Sequence, residues 1–188
     1  IGGDTVETTG PLVLTMTVMG EVPANTAVLR SGAKDGDWVG VTNMLGGSAV
    51  GLDVLAADEK AYFTSKDVYQ RPVPQVELGS FLRLRGVTSM NDISDGLVRE
   101  LHEIAKASNV HITITKEAIP LHEETVRWGA EKNIDPVEFA LYGGEDFQLV
   151  FTCPKAVKVK LEDHPLITFI GQVDVTKEGV TMVDEDGN

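Results

Sequence analysis

The chain is short of cysteine, of basic residues and of long apolar runs. Its one cysteine, Cys153, can form no internal disulfide, so nothing calls for an oxidising compartment. No apolar stretch approaches the roughly 20 residues that cross a bilayer, and no signal-peptide pattern opens the sequence. Only 16 lysines and arginines stand against 29 aspartates and glutamates, a net charge of −13 that argues against nucleic acid or an anionic membrane as partner. An anionic ligand would need a metal ion to meet it. The location expected is cytoplasmic.

Several motifs are missing as well. Leu45-Gly46-Gly47-Ser48-Ala49-Val50-Gly51 lacks the Lys-Ser/Thr of a P-loop and the glycine spacing of a dinucleotide fingerprint. The four histidines lack metal-ligand spacing, which assigns His102 and His111 to surface or core. No Ser/His/Asp or Cys/His arrangement, internal repeat, low-complexity tract or clear linker is visible.

What remains is enough apolar residue, 42% of 188, for one core. Leu12 to Met19 is apolar or Thr on both faces and predicts a strand covered on both sides. Trp38 to Thr42, Val87 to Met90, His111 to Thr115, Phe147 to Thr152, Ile167 to Val173 and Val180 to Val183 also read as strands. The stretch Leu45 to Gly51 leads into an expected helix ending at Ala57, and further helices are expected from Val76 to Leu84, Leu97 to Ser108, Leu121 to Lys132, a short one to Tyr142, and Ala156 to Leu161. Asp135-Pro136 is the start of the short one, a cap followed by Pro at the first helical position. Alternating strands and helices indicate a layered fold of α/β or α+β type, a mixed β-sheet flanked by helices.

Met90-Asn91-Asp92-Ile93-Ser94-Asp95-Gly96-Leu97 joins a predicted strand end to a helix start, with two carboxylates and a hydroxyl in the turn. The free N–H groups of a first helical turn attract anions, yet Asp92 and Asp95 repel a bare phosphate, so a divalent cation must mediate. Magnesium suits such a place, since it takes one or two carboxylates together with phosphate oxygens and water. The competing reading is that Ser94 or Asp95 caps the helix while Asp92 faces water. Two further turns share the type: Gly2-Gly3-Asp4-Thr5 and Gly143-Gly144-Glu145-Asp146. Each lies at the edge of a predicted strand, and three such turns in one acidic chain suggest a shared metal-phosphate site. Arg71, beside Pro72, is a candidate pocket residue or an exposed linker arginine.

These turns, with Arg30-Ser31-Gly32-Ala33-Lys34-Asp35-Gly36-Asp37 and the continuations Leu97 and Phe147, resemble the bacterial thiamine-monophosphate kinase family in order and spacing. The wider superfamily includes aminoimidazole ribonucleotide synthetase, whose C-terminal domain gives the fold implied here. The resemblance implies transfer of phosphate from ATP to thiamine monophosphate, yielding thiamine diphosphate, with magnesium and no covalent nucleophile. It makes Gly3, Asp4, Arg30 and Ser94 ATP-binding residues, Asp4, Asp92 and Asp95 magnesium ligands, and Glu145 the residue that holds thiamine. This chain departs from the family at Gly47, where Asp is usual, and at Phe147-Gln148, where Tyr-Glu is usual. A further N-terminal half and a C-terminal stretch with an aromatic residue are usual too. The chain is therefore expected to be the interior of a longer sequence: residues 1–23 a remnant of the N-terminal half, 24–188 the C-terminal domain. A homodimer is implied for the whole enzyme and a monomer for the piece. Alternatives are a related phosphotransferase with another phosphate acceptor, or a non-catalytic binding domain.

Overall fold

The computed structural model describes residues 9–188. Six strands are distinguished: β1 (Trp38–Thr42), β2 (Ser89–Asp92), β3 (His111–Thr115), β4 (Leu149–Cys153), β5 (Ile167–Asp174) and β6 (Gly179–Val183). They form one sheet in the order β2-β4-β1-β5-β3-β6. Every pairing is antiparallel except β3 with β6. The mixed sheet is thus as expected, and β1 and β3 have the expected bounds.

Seven α-helices cover it: α1 (Gly47–Ala56), α2 (Phe63–Gln70), α3 (Val76–Arg85), α4 (Leu97–Ser108), α5 (Glu123–Lys132), α6 (Val137–Tyr142) and α7 (Lys155–Leu161). Alternation along the strands sends residues to two cores. Val39, Val41 and Val150 face the apolar stripe of α4 (Leu97, Leu101, Ile104, Ala105) and the inner face of α6. Each fully buried Leu or Ile of that stripe contributes roughly 1.5–3 kcal/mol. On the other face Phe151, Cys153 and Ile167 pack with Leu82 of α3 and Leu161 of α7. Phe151 lies over Gly40, where a Cβ would come within 2.5 Å of its ring. A third cluster, Val50, Val54, Tyr62 and Trp128, joins α1 to α5.

Two expectations are corrected here. Residues 12–19 form no strand and stand open to solvent, Leu14 being 85% exposed, because no described strand lies alongside to accept their hydrogen bonds. The strand expected at Val87 to Met90 begins at Ser89 and runs to Asp92, since β4 offers partners only from Leu149, opposite Asp92, to Thr152, opposite Ser89. Helix α2 carries no sequence signal, because only Ser65 is buried along it. It owes its position to Gly51 of α1, where a Cβ would lie 2.2 Å from the Ser65 carbonyl oxygen.

Candidate functional site

Two of the three acidic turns meet at one end of the sheet. Antiparallel pairing sets Asp92, the last residue of β2, opposite Leu149, the first of β4, so the segments beyond both strands leave the sheet together. Backbone bonds then stitch them: Ile93 N–H donates to Gln148 O at 2.7 Å, Phe147 N–H to Ile93 O at 2.9 Å, and Glu145 N–H to Ser94 O at 2.8 Å. Glu145 and Phe147 adopt left-handed backbone, with φ of 65° and 49°, a conformation costly for side chains of that size. Two glycines permit the approach. A Cβ on Gly144 would stand 2.7 Å from the Ser94 carbonyl oxygen, and one on Gly96 2.6 Å from that of Leu141. Gly2-Gly3-Asp4-Thr5, and with it the assignments of Gly3 and Asp4, lies outside the described residues.

The capping expectation needs correction. Gly96, at φ 97°, is the residue that precedes α4, and neither Ser94 nor Asp95 caps the helix with its side chain. The carboxylate that turns back is Glu100, buried in the helix's first turn. It accepts from Ser94 Oγ at 3.2 Å and from the Asp95 N–H at 3.4 Å. With its proton on Glu100, the Ser94 hydroxyl presents lone pairs to an incoming ligand. Asp95 is 62% exposed and pairs with Arg99 at 3.3 Å, and Asp92 is exposed. Asp92 also lines a cleft of about 310 Å³ with Pro72, Pro74, Gln75, Phe147 and Leu149.

Arg30 approaches the same turns from a different direction. Its loop is folded by Asp37, whose Oδ2 accepts from Lys34 N–H at 2.9 Å and Thr88 Oγ at 2.6 Å, and by Ser108 Oγ, which donates to Arg30 O at 2.9 Å. The guanidinium Nε donates to Asn91 Oδ1 at 2.9 Å, next to Asp92 in sequence. Arg71 is exposed and paired to Asp67 at 2.6 Å, a linker arginine.

Asp146 had no role in the sequence reading, and the structure gives it one. Its buried carboxylate accepts from the backbone N–H of Gly46 at 2.7 Å and of Ser48 at 3.1 Å, closing the start of α1 from another part of the chain. Burial pushes its pKa up to about 6, against the two backbone bonds that favour the charged form. Only the missing cap residue before Gly47 hints at this in the sequence. Chemically, the site offers exposed carboxylates at Asp92 and Asp95, a half-exposed arginine whose Nη1 lies 3.9 Å from Glu103, and a run of tight backbone turns. That arrangement suits oxygen-rich anions held with a hard cation. Among the described residues no cluster of three or more His, Cys, Asp or Glu could cage a metal ion unaided.

The sheet with its paired turns defines the AIR synthase related class, and the C-terminal domain of that family matches residues 34–184; the chain belongs to it. More particularly, the chain is similar to the thiamine-monophosphate kinase of Bacillus subtilis, at 41% identity over 97% of this chain and 58% of that protein. The Escherichia coli K12 protein of the same name is 36% identical over the same shares. The solved thiamine monophosphate kinase of Aquifex aeolicus superposes with a TM-score of 0.75 at 34% identity, covering 86% of this chain and 53% of that one. A structure of AaThiL complexed with AMPPCP and TMP gives the same score and identity over 86% and 51%. The chain therefore spans little more than half the length of these relatives. Among the described residues, no helix is long and apolar enough to cross a membrane.

Proposed function

We propose that this chain is the C-terminal portion of an ATP-dependent kinase that phosphorylates thiamine monophosphate to thiamine diphosphate. The whole enzyme is this chain joined to the N-terminal half and the C-terminal stretch that the family resemblance implies, with residues 1–23 belonging to the N-terminal half. The observation that carries the reading is the direct bonding of the two acidic turns, Glu145 N–H to Ser94 O and Phe147 N–H to Ile93 O, beside Arg30. Relatives of the same name and a relative's complex with AMPPCP and TMP support it.

In this reading the terminal phosphate oxygen of thiamine monophosphate attacks the γ-phosphorus of ATP, and the bond to the β-phosphate oxygen breaks to release ADP. No side-chain nucleophile takes part; the protein's share is alignment and charge neutralisation. The Nη groups of Arg30 donate to the nucleotide phosphates, at the expense of the weak exposed pair with Glu103 at 3.9 Å, while Ser94 accepts from a ribose hydroxyl or a base amino group. Glu145 faces the cationic thiamine moiety. Asp92 and Asp95, with Asp4 from the first turn, are the hard oxygen donors that magnesium takes beside phosphate oxygens, and they would hold it. Magnesium so bound would neutralise charge on the transferring phosphoryl group. Rearranging the exposed Asp95–Arg99 pair to free that carboxylate costs at most about 1 kcal/mol.

The test is calorimetric titration of the whole enzyme with AMPPCP, in magnesium and then in chelator. Magnesium-dependent binding, weakened by Arg30→Ala, is expected. Binding indifferent to both would contradict the reading.

A further inference from the structure

Glu100 is a carboxylate only 3% exposed, with no lysine or arginine in ion-pair distance among the described residues. Burying a charge on neutral donors alone is costly, which calls for a reason. Its contacts supply one. Oε1 holds Ser94 Oγ at 3.2 Å and the Asp95 N–H at 3.4 Å, while Oε2 accepts a short bond from Asn91 Nδ2. Asn91 is buried too, and its Oδ1 accepts from Arg30 Nε at 2.9 Å. Both ends of the amide are committed, so its orientation is fixed: a flip would set N–H against N–H at Arg30 and oxygen against oxygen at Glu100. The four bonds run without a break from Arg30 to the Ser94-Asp95 turn, groups 64 residues apart in sequence.

Resting on the kinase reading above, we infer that Glu100 and Asn91 are positioning residues for the nucleotide, orienting Arg30 and the Ser94-Asp95 turn as one unit. The series of bonds ends on a guanidinium 52% exposed, where a purely stabilising contact is worth little. Its value is in aim: with Nε spent on Asn91 and Nη1 3.9 Å from the exposed Glu103 carboxylate, the guanidinium plane is fixed, and a phosphate that displaces this weak surface pair meets an oriented fork. The same carboxylate fixes the Ser94 hydroxyl and the backbone on which Asp95 stands, so nucleotide and metal positions share one reference point.

The polarity of the bonds provides the test. Glu100→Gln can still accept from Ser94 and Asp95, but its amide N–H opposes Asn91 Nδ2; if Asn91 flips in response, Arg30 is lost. Asn91→Asp sets two carboxylates against each other. In the double variant donor and acceptor change ends: the new amide donates to the new carboxylate, whose other oxygen still accepts from Arg30, and total charge equals that of the parent.

In the whole enzyme, each single variant should weaken magnesium-dependent AMPPCP binding by about tenfold or more, and raise the KM for ATP more than it lowers kcat. The double variant should return to within about threefold of the parent. Melting midpoints are measured alongside. Single variants that melt lower yet bind AMPPCP normally would overturn the inference, and so would a double variant no better than the singles. Failure of the unsubstituted enzyme to bind AMPPCP would overturn the kinase reading and this inference with it, whereas aberrant variants of a competent parent overturn this inference alone.

Discussion

Asp146 reaches across 98 residues of sequence to accept the backbone N–H of Ser48 at 3.1 Å, and so holds the third acidic turn against the start of α1. A second bond, from Gly46 N–H at 2.7 Å, makes the carboxylate a helix cap supplied from elsewhere in the chain. Its pKa in the fold, about 6, lies above the roughly 3.9 of an unfolded aspartate. The fold therefore favours the protonated form. This group's contribution is fully present below about pH 4 and is lost as pH rises through about 6, on the order of 3 kcal/mol in all. Denaturant midpoints should fall between pH 5 and 7.5 by a component that Asp146→Asn abolishes. An unchanged pH slope in that variant would show that Asp146 is not the titrating group.

The close approach of the two acidic turns gives a second expectation. Gly96 combines φ 97° with a Leu141 carbonyl oxygen 2.6 Å from where a Cβ would stand. Gly96→Ala should cost roughly 2 kcal/mol or more of stability, read as a lower unfolding midpoint. Gly86 also has positive φ, at 85°, but open space around it, so Gly86→Ala should cost less. Equal losses at the two positions would mean that backbone strain alone, and not the contact of Gly96 with the end of α6, sets the penalty.

Asp92 and Asp95 separate a ligand role from a structural one. Among the described residues the Asp92 side chain has no partner, and that of Asp95 has only its exposed pair with Arg99 at 3.3 Å. Neither Asp92→Asn nor Asp95→Asn should shift the melting midpoint by more than the worth of a surface pair, about 1 kcal/mol or less. In the whole enzyme Asp92→Asn should lower turnover roughly a hundredfold or more, about 2.7 kcal/mol of barrier, and raise the magnesium needed for half-maximal rate. Normal turnover with normal magnesium dependence in both Asp92→Asn and Asp95→Asn would remove both residues from the metal site.

Much of this was legible in the sequence, and for definite reasons. The Leu97, Leu101, Ile104, Ala105 stripe repeats at helical spacing, so α4 could be placed, and all four side chains are buried. The start of α6 was visible from Asp-Pro, one residue early: Pro136 precedes the helix instead of opening it, and Asp135 Oδ1 accepts from the first helical N–H, that of Val137, at 3.1 Å. Three things were hidden because they depend on contacts distant in sequence. The start of α4 belongs to Gly96 and Glu100 because Glu100 is drawn inward by Asn91. Helix α2 exists by leaning on Gly51. Residues 12–19 have the pattern of a buried strand, but a pattern states only which side chains want cover; it does not supply the neighbour. The roles proposed for Arg30 and Glu145 came from the resemblance and those for Asp92 and Asp95 from the acidic turn as well, and the structure brings the two turns and Arg30 together at one end of the sheet.

Residues 1–188 on their own should form no thiamine diphosphate, because the account draws part of the nucleotide and metal site from the N-terminal half. They should also be largely monomeric, as the family resemblance implies for this piece of the enzyme. Thiamine diphosphate formation by the purified chain would refute the first expectation. Light scattering at micromolar concentration checks the second, and a stable dimer would point to pairing through the open apolar segment 12–19.

The most direct measurement is an assay of the whole enzyme with ATP, magnesium and thiamine monophosphate, following ADP and thiamine diphosphate together. The account predicts the two products in equal amounts, with rates that vanish in chelator and fall in Asp92→Asn. ATP consumed without thiamine diphosphate, or no turnover in an enzyme that binds AMPPCP with magnesium, would contradict it and assign these turns to another phosphate acceptor or to binding alone.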